Sequence, residues 1–327
     1  MAMTSTIGGS ARRGLEALER KQRDTSGVLF RSLISLCLLI SLLLIGVLIY
    51  TVVDDGWFHL TSRPIDFLNG TLRSRSIDEK LGVHQGLYGS LWIGIFVAVI
   101  AFPTGIAAAL YLEEYAHKSR LNSMIELAIR NLAGVPSVVY GLLGLFLFVE
   151  RNEILGFLPL GWLVTITGGP TVASAGLIMA ILVLPIVIIT AQEAIRSVPQ
   201  GLKEGAYGVG ATKSEMIRSQ VLPYAAPGIL TGSLLAMSRA IGEAAPLILI
   251  GAISGGLTNN PSLADPTQLR ERFTALPIQI VTWVGQRGRD EGFFGAAAGA
   301  IVVLLCLVLA MNMAAILLRN HFEKKRG

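Results

Sequence analysis

The chain has 327 residues, of which 52% are hydrophobic and 15% are charged, and its net charge is +5. Soluble proteins carry about 25% charged residues, and the apolar residues here come in long blocks. The composition therefore favours a polytopic membrane protein and argues against a nucleic-acid-binding protein. Cys37 and Cys306 both lie in apolar runs, and the four histidines are scattered. We expect no disulfide, no metal site and no other cofactor.

Six apolar runs predict an all-α protein with six transmembrane helices. We expect a cytosolic N-terminal tail (1–30), a first transmembrane helix with an external loop (31–85), a core of five transmembrane helices (86–319) and a basic cytosolic tail (320–327). The predicted spans are Leu33–Val53, Gly86–Leu112, Leu132–Val149, Ala173–Ala191, Ala225–Ile253 and Phe294–Leu318. The first span follows a tail too long and polar for a usual signal peptide, so we expect it to be retained.

Two connecting segments contain apolar stretches too short to cross a membrane. Residues 150–172 predict an interfacial or partly re-entrant piece, and residues 254–293 contain an apolar island at Leu276–Val284 that we expect on or in the membrane surface. Pro103 lies inside span two, and Pro136 breaks span three. Pairs of glycines four residues apart predict close helix packing: Gly228 with Gly232, Gly251 with Gly255, and Gly295 with Gly299.

Lysine and arginine are distributed unequally between the two sets of loops. The loops on the side of both termini hold sixteen of these residues, and the opposite loops hold nine spread over a longer stretch of chain. Cytoplasmic loops of membrane proteins carry the excess of positive charge. We therefore expect both termini and the polar loop 197–223 to lie in the cytosol.

This polar loop separates two apolar spans, and its pattern predicts two short helices joined at a glycine. Ser197 with Gln200, and Thr212 with Glu215, have the spacing of capping boxes. Gly210 is placed to adopt a left-handed conformation at the end of the first helix. The loop is therefore predicted to be a helical hairpin.

Each predicted helix of the hairpin has an apolar face that must be covered. These faces consist of Leu202, Ala206 and Val209 in the first helix, and Met216, Ile217 and Val221 in the second. Two interpretations follow. The hairpin either rests on the membrane domain of its own chain or docks into a separate protein.

Residues 208–214 resemble part of a phosphate-binding loop, but the pattern is incomplete. A Walker A loop requires glycine directly before Lys213 and again six residues before it, where this chain has Thr212 and Tyr207. We find no nucleophile elbow or metal motif elsewhere. The sequence therefore predicts that this chain is not an enzyme.

Arg239 and Glu243 are ionisable residues inside predicted span five. Their spacing places both on one face of a helix, and each charge would cost about 2.5–3.5 kcal/mol at the membrane centre. They form either an ion pair that only neutralises itself, or a charged patch that lines a solute pathway and binds an oxyanion. Gly242 and Pro246 favour a helix that bends at this depth.

With these features described, the polar loop resembles the EAA loop of ABC importer permeases. That motif is Glu-Ala-Ala, three residues, Gly, nine residues and Ile-x-Leu-Pro, and the spacing here fits in full. The matching residues are Glu204, Gly205, Ala206, Gly210, Leu222 and Pro223. Two positions depart from the motif, because Gly205 replaces an alanine and Gln220 replaces the isoleucine. Both departures keep the helix–glycine–helix pattern.

The resemblance covers about residues 86–325 and is to the permeases of bacterial phosphate importers, of the PstA type more than of the PstC type. The similar stretches are Tyr111–Ala116, Val135–Gly141, Arg239–Pro246, Leu276–Ile280 and Leu318–Lys324. The resemblance implies a type I ABC importer permease of MetI-like fold, with six transmembrane helices, in the bacterial inner membrane.

The resemblance also implies partners and a mechanism. The partners would be a PstC-like permease, two PstB-like ATPase subunits, a PstS-like phosphate-binding protein and membrane lipid, with no nucleic acid. The EAA loop would dock into the ATPase and transmit its ATP-driven closure, and Arg239 and Glu243 map onto a pair shared by phosphate permeases. A permease for another oxyanion, such as sulfate or molybdate, is the alternative. A membrane enzyme or sensor would need a catalytic motif or a soluble signalling domain, which the sequence lacks.

Overall fold

The structure is a computed structural model that describes residues 25–73, 75, 80–117, 119–149, 167–252 and 260–324. Within these ranges the chain is helical or irregular, apart from a β-bridge that pairs Thr71 with Leu81. It comprises two compact units, Met1–Thr51 and Val52–Gly327. The all-α prediction is confirmed.

In the first unit, residues 25–51 form the beginning of helix α1 (Thr25–Thr61). Apolar side chains project in every direction and almost all of them are exposed, as is typical of a helix surrounded by lipid. A helix of 37 residues is about 55 Å long. It exceeds the predicted span Leu33–Val53, and residues 54–61, which were predicted to be loop, continue it.

The second unit contains ten further α-helices and a short 3-10 helix, Pro266–Arg270, among the described residues, with α6 at its centre. Helices α3, α4, α5 and α8 all contact α6, which is also the most buried of the apolar helices. The helices are α2 (Pro64–Asn69), α3 (His84–Tyr115), α4 (Arg120–Ala133), α5 (Ser137–Val149), α6 (Val172–Arg196), α7 (Gln200–Gly208), α8 (Lys213–Gly242), α9 (Ala245–Ile250), α10 (Leu276–Gln286) and α11 (Gly292–Lys324).

Five described helices, α1, α3, α6, α8 and α11, are long and apolar enough to cross a membrane, and α4 with α5 makes a sixth span if that bent pair is counted as one. The two helices of this pair meet at 100°, and Pro136 lies between them. The predicted break of span three at Pro136 is therefore confirmed. Helix α4 ends before Pro136, because the residue before a proline is disfavoured in a helix. Helix α5 begins directly after this proline, at Ser137, and is about 20 Å long.

Prolines inside two apolar helices are preceded by π turns. Val97–Ala101 stands before Pro103 in α3, and Ile217–Val221 stands before Pro223 in α8. The wider turn accommodates a residue that has no N–H to donate. Helix α8 consequently runs from the polar hairpin into the apolar span without a break. The second hairpin helix and the span predicted from Ala225 were expected to be separate, and this is wrong, because they are one helix.

The ends of two other predicted spans also differ from the observed helix ends. Helix α8 stops at Gly242, well before the predicted end at Ile253, and the short α9 follows it. Helix α11 extends beyond the predicted Phe294–Leu318 in both directions, so residues 320–324 are helical.

The predicted close packing at glycines is confirmed for two pairs. A Cβ at Gly228 would lie 2.8 Å from Ala194 Cβ, and one at Gly232 would lie 2.3 Å from Thr190 Oγ1, so α8 approaches α6 closely. A Cβ at Gly299 would lie 3.1 Å from the ring of Phe67, and one at Gly295 would lie 3.1 Å from a backbone oxygen. Gly255 falls outside the described residues.

The apolar island of the segment 254–293 forms α10, whose Leu276 and Trp283 are buried with Phe67 and Phe293 in a second hydrophobic core. This island therefore packs on protein. Residues 150–166 lie outside the described residues, so the re-entrant piece in segment 150–172 stays a prediction.

Candidate coupling and translocation sites

The turn into the hairpin differs from its prediction. Ser197 is the C-cap of α6, and its hydroxyl donates to Ala194 O at 2.7 Å. Pro199 occupies the N-cap of α7, and no side chain caps that helix. The predicted capping box of Ser197 with Gln200 is therefore wrong. Proline has the extended ψ that an N-cap needs, and it takes the position without a side-chain hydrogen bond.

The middle of the hairpin follows its prediction. Gly210 has φ +85°, in the left-handed region, directly after the end of α7. Thr212 then caps α8 in a reciprocal capping box. Its hydroxyl accepts from Glu215 N at 3.4 Å, and its own N–H donates to Glu215 Oε2 at 2.8 Å. These residues fix the direction in which the chain re-enters a helix.

The two halves of the hairpin differ in burial. Met216, Ile217 and Val221 on α8 are buried in a cluster with residues of α6 such as Ile195. In contrast, Val209, next to the end of α7, is 86% exposed, and Leu202 and Tyr207 are also exposed. The hairpin thus rests on its own membrane domain mainly through its second half. In the first half Ala206 packs on the same cluster, while Leu202, Tyr207 and Val209 remain exposed.

The residues that match the EAA motif lie on the uncovered side and at the start of the span. Glu204 and Gly205 are exposed on α7, Ala206 is half-buried, and Gly210 forms the exposed turn. A Cβ at Gly205 would meet nothing within 4 Å, so nothing in this chain excludes the alanine that the motif has there. Leu222 is half-buried and Pro223 exposed in the first turns of α8.

Sequence reasoning missed a set of contacts between the hairpin and the end of α3. Arg196 Nη2 lies 2.6 Å from Glu113 Oε1, and Lys203 Nζ donates to Glu114 Oε1 at 2.5 Å. The Lys213 ammonium lies 5.0 Å from the ring centroid of Tyr115. One pattern indicates such contacts, because the stretch Tyr111–Ala116 carries two adjacent carboxylates beside a span.

The second candidate site lies where α8 ends. Glu243 has an extended backbone (φ −80°, ψ 125°) and caps α8, so it does not continue the helix that carries Arg239. The side chains still meet as the four-residue spacing predicts, with Arg239 Nε 3.5 Å from Glu243 Oε1. The predicted break near Gly242 and Pro246 is present between α8 and α9.

The ion pair at this break is open to its surroundings. The side chains of Arg239 and Glu243 are 45% and 24% exposed, and among the described residues Glu243 is the ion-pair partner of Arg239. Most of the five N–H donors of a guanidinium therefore remain available to a bidentate anion. The remaining oxygen of Glu243 can accept a hydrogen bond.

The helices around the Arg239–Glu243 pair pack closely and are joined by hydrogen bonds. Helix α5 packs against α9 so tightly that a Cβ at Gly141 would lie 2.7 Å from Pro246 Cα. The hydroxyl of Tyr140 donates to Leu132 O at 2.9 Å, across the bend between α4 and α5. Next to Arg239, the hydroxyl of Ser238 donates to Asn312 Oδ1 of α11 at 3.0 Å. Hydropathy gave no signal for Ser238 and Asn312, because isolated polar residues hardly change a long apolar run.

Comparison with known proteins gives a family match over most of the chain. Residues 101–325 match the model of the binding-protein-dependent transport system inner membrane component. The chain is 30% identical over 264 residues to the phosphate transport system permease protein PstC of Xylella fastidiosa (77% of this chain, 78% of the relative).

Two further relatives match a larger part of the chain at slightly lower identity. One is the probable ABC transporter permease protein YqgI of Bacillus subtilis, 29% identical over 293 residues (88% of this chain, 92% of the relative). The other is the phosphate transport system permease protein PstA 1 of Mycobacterium tuberculosis, 29% identical over 281 residues (85% of this chain, 84% of the relative).

The fold is also similar to a solved structure. A chain of a bacterial alginate ABC transporter, in complex with an alginate pentasaccharide-bound periplasmic protein, superposes with a TM-score of 0.58. The match covers 90% of this chain and 96% of that chain, at 16% sequence identity. It bears on the fold alone, and it agrees with the predicted MetI-like architecture.

Proposed function

This chain belongs to the family of inner-membrane components of binding-protein-dependent transport systems, and we propose that it is the permease subunit of an importer of inorganic phosphate. Members of this family are multi-pass membrane subunits of ABC transporters and leave ATP hydrolysis to a separate ATPase subunit. The proposal adds the substrate, the partners and the orientation.

The observation that carries the substrate proposal is the exposed Arg239–Glu243 pair at the break of an apolar helix. A guanidinium matches the geometry of a tetrahedral oxyanion in bidentate fashion. Phosphate near neutral pH still has an acidic proton, which the carboxylate of Glu243 can accept in a hydrogen bond. Sulfate and molybdate have no such proton under these conditions, so the carboxylate would repel them.

Similarity to named phosphate permeases supports the same substrate. The alternative is a permease for sulfate or molybdate, and the carboxylate beside the arginine is the feature that disfavours it. In this proposal the pair is part of the pathway, and the break between α8 and α9 gives its charges access to water.

The partners follow from the hairpin. We propose that its uncovered half, with Glu204, Tyr207 and Val209, docks on one of two ATPase subunits in the cytosol. A PstC-like permease would complete the pathway, and an extracytoplasmic phosphate-binding protein of the PstS type would deliver the substrate. The positive charge on the side of the termini supports this orientation. Closure of the ATPases would then shift the population between two access states.

The test is a selectivity measurement in vesicles that contain the chain with its partner permease, ATPase and binding protein. We expect ATP-dependent uptake of labelled phosphate, and we expect excess sulfate or molybdate not to inhibit this uptake. We expect Glu243→Gln to relax this discrimination at the permease step, with ATPase subunits still bound. Equal uptake of sulfate by the unmodified transporter would contradict the phosphate proposal.

A further inference from the structure

Three consecutive residues at the end of α3 each contact a different cation of the hairpin. Glu113 pairs with Arg196, at the end of α6 where the hairpin begins. Glu114 pairs with Lys203 in the middle of α7, and Tyr115 lies under the ammonium group of Lys213 at the start of α8. The contacts are thus spread along the whole hairpin, and all of them converge on one short stretch of α3.

The middle contact is the most enclosed. The side chain of Glu114 is 7% exposed and that of Lys203 is 17% exposed, so solvent screens this pair much less than a surface ion pair. Removing one partner would leave a nearly buried charge without compensation, and such a loss is strongly unfavourable. Lys203 therefore ties α7, most of whose apolar residues are exposed, to α3.

The end of α3, which makes these contacts, has a π-helical backbone. Its last five residues, Tyr111–Tyr115, form a π turn that ends with Ala116 N donating to Tyr111 O at 2.8 Å. A π turn has more residues per turn than an α-helix, and such turns are frequent at functional sites.

The opposite end of α3 is also tied to another segment. His84, Tyr88 and Trp92 follow one another at four-residue spacing on one face, and each contacts a backbone oxygen. His84 Nε2 lies 2.6 Å from Pro261 O, the Tyr88 hydroxyl donates to Asp265 O at 2.6 Å, and Trp92 Nε1 donates to Leu263 O at 3.1 Å. A continuous helix thus joins the hairpin to the segment 261–265.

We propose that Glu114 is a positioning residue that makes α7 and the end of α3 move as one body, so that α3 transmits hairpin movement to the segment 261–265. The inference rests on the proposed docking of the hairpin on an ATPase. Lys203 is its partner in this role, and the contacts of Glu113 and Tyr115 keep the hairpin aligned. None of these residues touches the transported ion.

The first experiment reverses the charges of the central pair. Lys203→Glu and Glu114→Lys are each expected to keep the ATPase subunits bound while the ratio of phosphate imported to ATP hydrolysed falls about tenfold, a coupling loss of ordinary size. The double variant Lys203→Glu/Glu114→Lys restores the pair in reversed orientation and should recover most of the ratio. Arg120→Glu, at the exposed start of α4, makes the same charge change elsewhere and should leave the ratio unchanged. A double variant no better than the single ones would overturn the inference.

The second experiment asks directly whether the two elements move together. Lys203→Cys and Glu114→Cys are combined in a chain whose Cys37 and Cys306 are replaced by serine, and a short bifunctional maleimide joins them. The uncross-linked variant lacks the ion pair and should have a lowered coupling ratio, and joining the two elements covalently should restore most of it. A ratio that stays low after cross-linking would overturn the inference.

A third readout does not depend on the transport proposal. In the chain alone, hydrogen exchange of the amides of α7 should accelerate in Lys203→Glu and return towards the original rate in the double variant. Unchanged exchange would overturn the positioning role. Failure of the unmodified transporter to import phosphate would instead count against the proposed substrate, so the two failures are distinguishable.

Discussion

Two glycines of the hairpin allow a matched test of its structure, because they differ in backbone conformation but both have open space around them. Gly210 has φ +85°, whereas Gly205 lies in the interior of α7, and a Cβ at either position would meet nothing within 4 Å. Any difference between alanine variants therefore comes from the backbone and not from crowding.

The magnitudes follow from the conformations. For Gly210→Ala, placing alanine in the left-handed conformation costs about 1–2 kcal/mol. Alanine also lowers the conformational entropy of the unfolded chain, which offsets about 0.4–1 kcal/mol of this cost. The turn therefore loses about 1 kcal/mol of stability, which changes the equilibrium for local opening of α7 about fivefold. For Gly205→Ala, a better helix former in the interior of α7 should stabilise it by about 0.5–1 kcal/mol.

The assay is hydrogen exchange of the α7 amides in the chain alone, in a nanodisc. We expect exchange to accelerate about fivefold in Gly210→Ala and to slow by a smaller factor in Gly205→Ala. The reasoning about the left-handed turn would be refuted if both variants changed exchange in the same direction.

Three further predictions concern stability. Thr212→Ala should destabilise the first turn of α8 by about 1 kcal/mol, seen as faster amide exchange there, while a serine variant should not. Gly176→Ala would place a Cβ 2.5 Å from Phe96 Cγ and should lower the unfolding temperature through about 1–3 kcal/mol of overpacking; the double variant with Phe96→Leu should recover part of it, and no shift would contradict the packing. The Thr267 N–H bond holds the pKa of Asp265 below its ordinary value, so the turn gains stability above the unfolded-state pKa and loses it as pH falls through the lowered one. The protection factor of the Thr267 amide, which is the exchange rate of an unstructured peptide at the same pH divided by the rate of this amide, should therefore fall in acid, and Asp265→Asn should abolish that fall.

Hydropathy predicted the approximate position of the apolar helices, because each apolar run is long and almost free of charge. Five of the described helices could cross a membrane, and the bent pair of α4 and α5 would make the sixth. Local chemistry predicted the middle of the hairpin equally well. A threonine followed three residues later by glutamate, directly after a glycine, leaves few alternatives to a left-handed turn and a capping box. The spacing of the EAA motif residues, from Glu204 to Pro223, likewise indicated the family.

Helix boundaries were less predictable, because polarity and backbone conformation need not change at the same residue. Polar residues from Lys213 onward were assigned to a separate short helix, but α8 continues from them through Pro223 with the help of a π turn. At the other end, Gly242 and Pro246 indicated a bend but not that Glu243 leaves the helix. Prolines and glycines are tolerated in membrane helices when neighbours satisfy the freed backbone groups, so the sequence alone does not decide between a kink and an end.

Contacts between residues far apart in sequence were not predictable at all. Glu114 and Lys203 are separated by two spans, and nothing in their local patterns indicates that they pair. The same holds for Tyr88 and Asp265, and for Ser238 and Asn312. Such pairs depend on how the helices pack, which one sequence without its relatives does not specify.

The central claim is that this permease carries phosphate past Arg239 under the control of a separate ATPase. The most direct measurement compares Arg239→Gln with the unmodified chain in vesicles that contain the complete transporter. The account predicts that both forms bind the ATPase subunits, that the unmodified form accumulates labelled phosphate with ATP, and that the variant hydrolyses ATP without accumulating phosphate. Normal accumulation by Arg239→Gln would contradict the account.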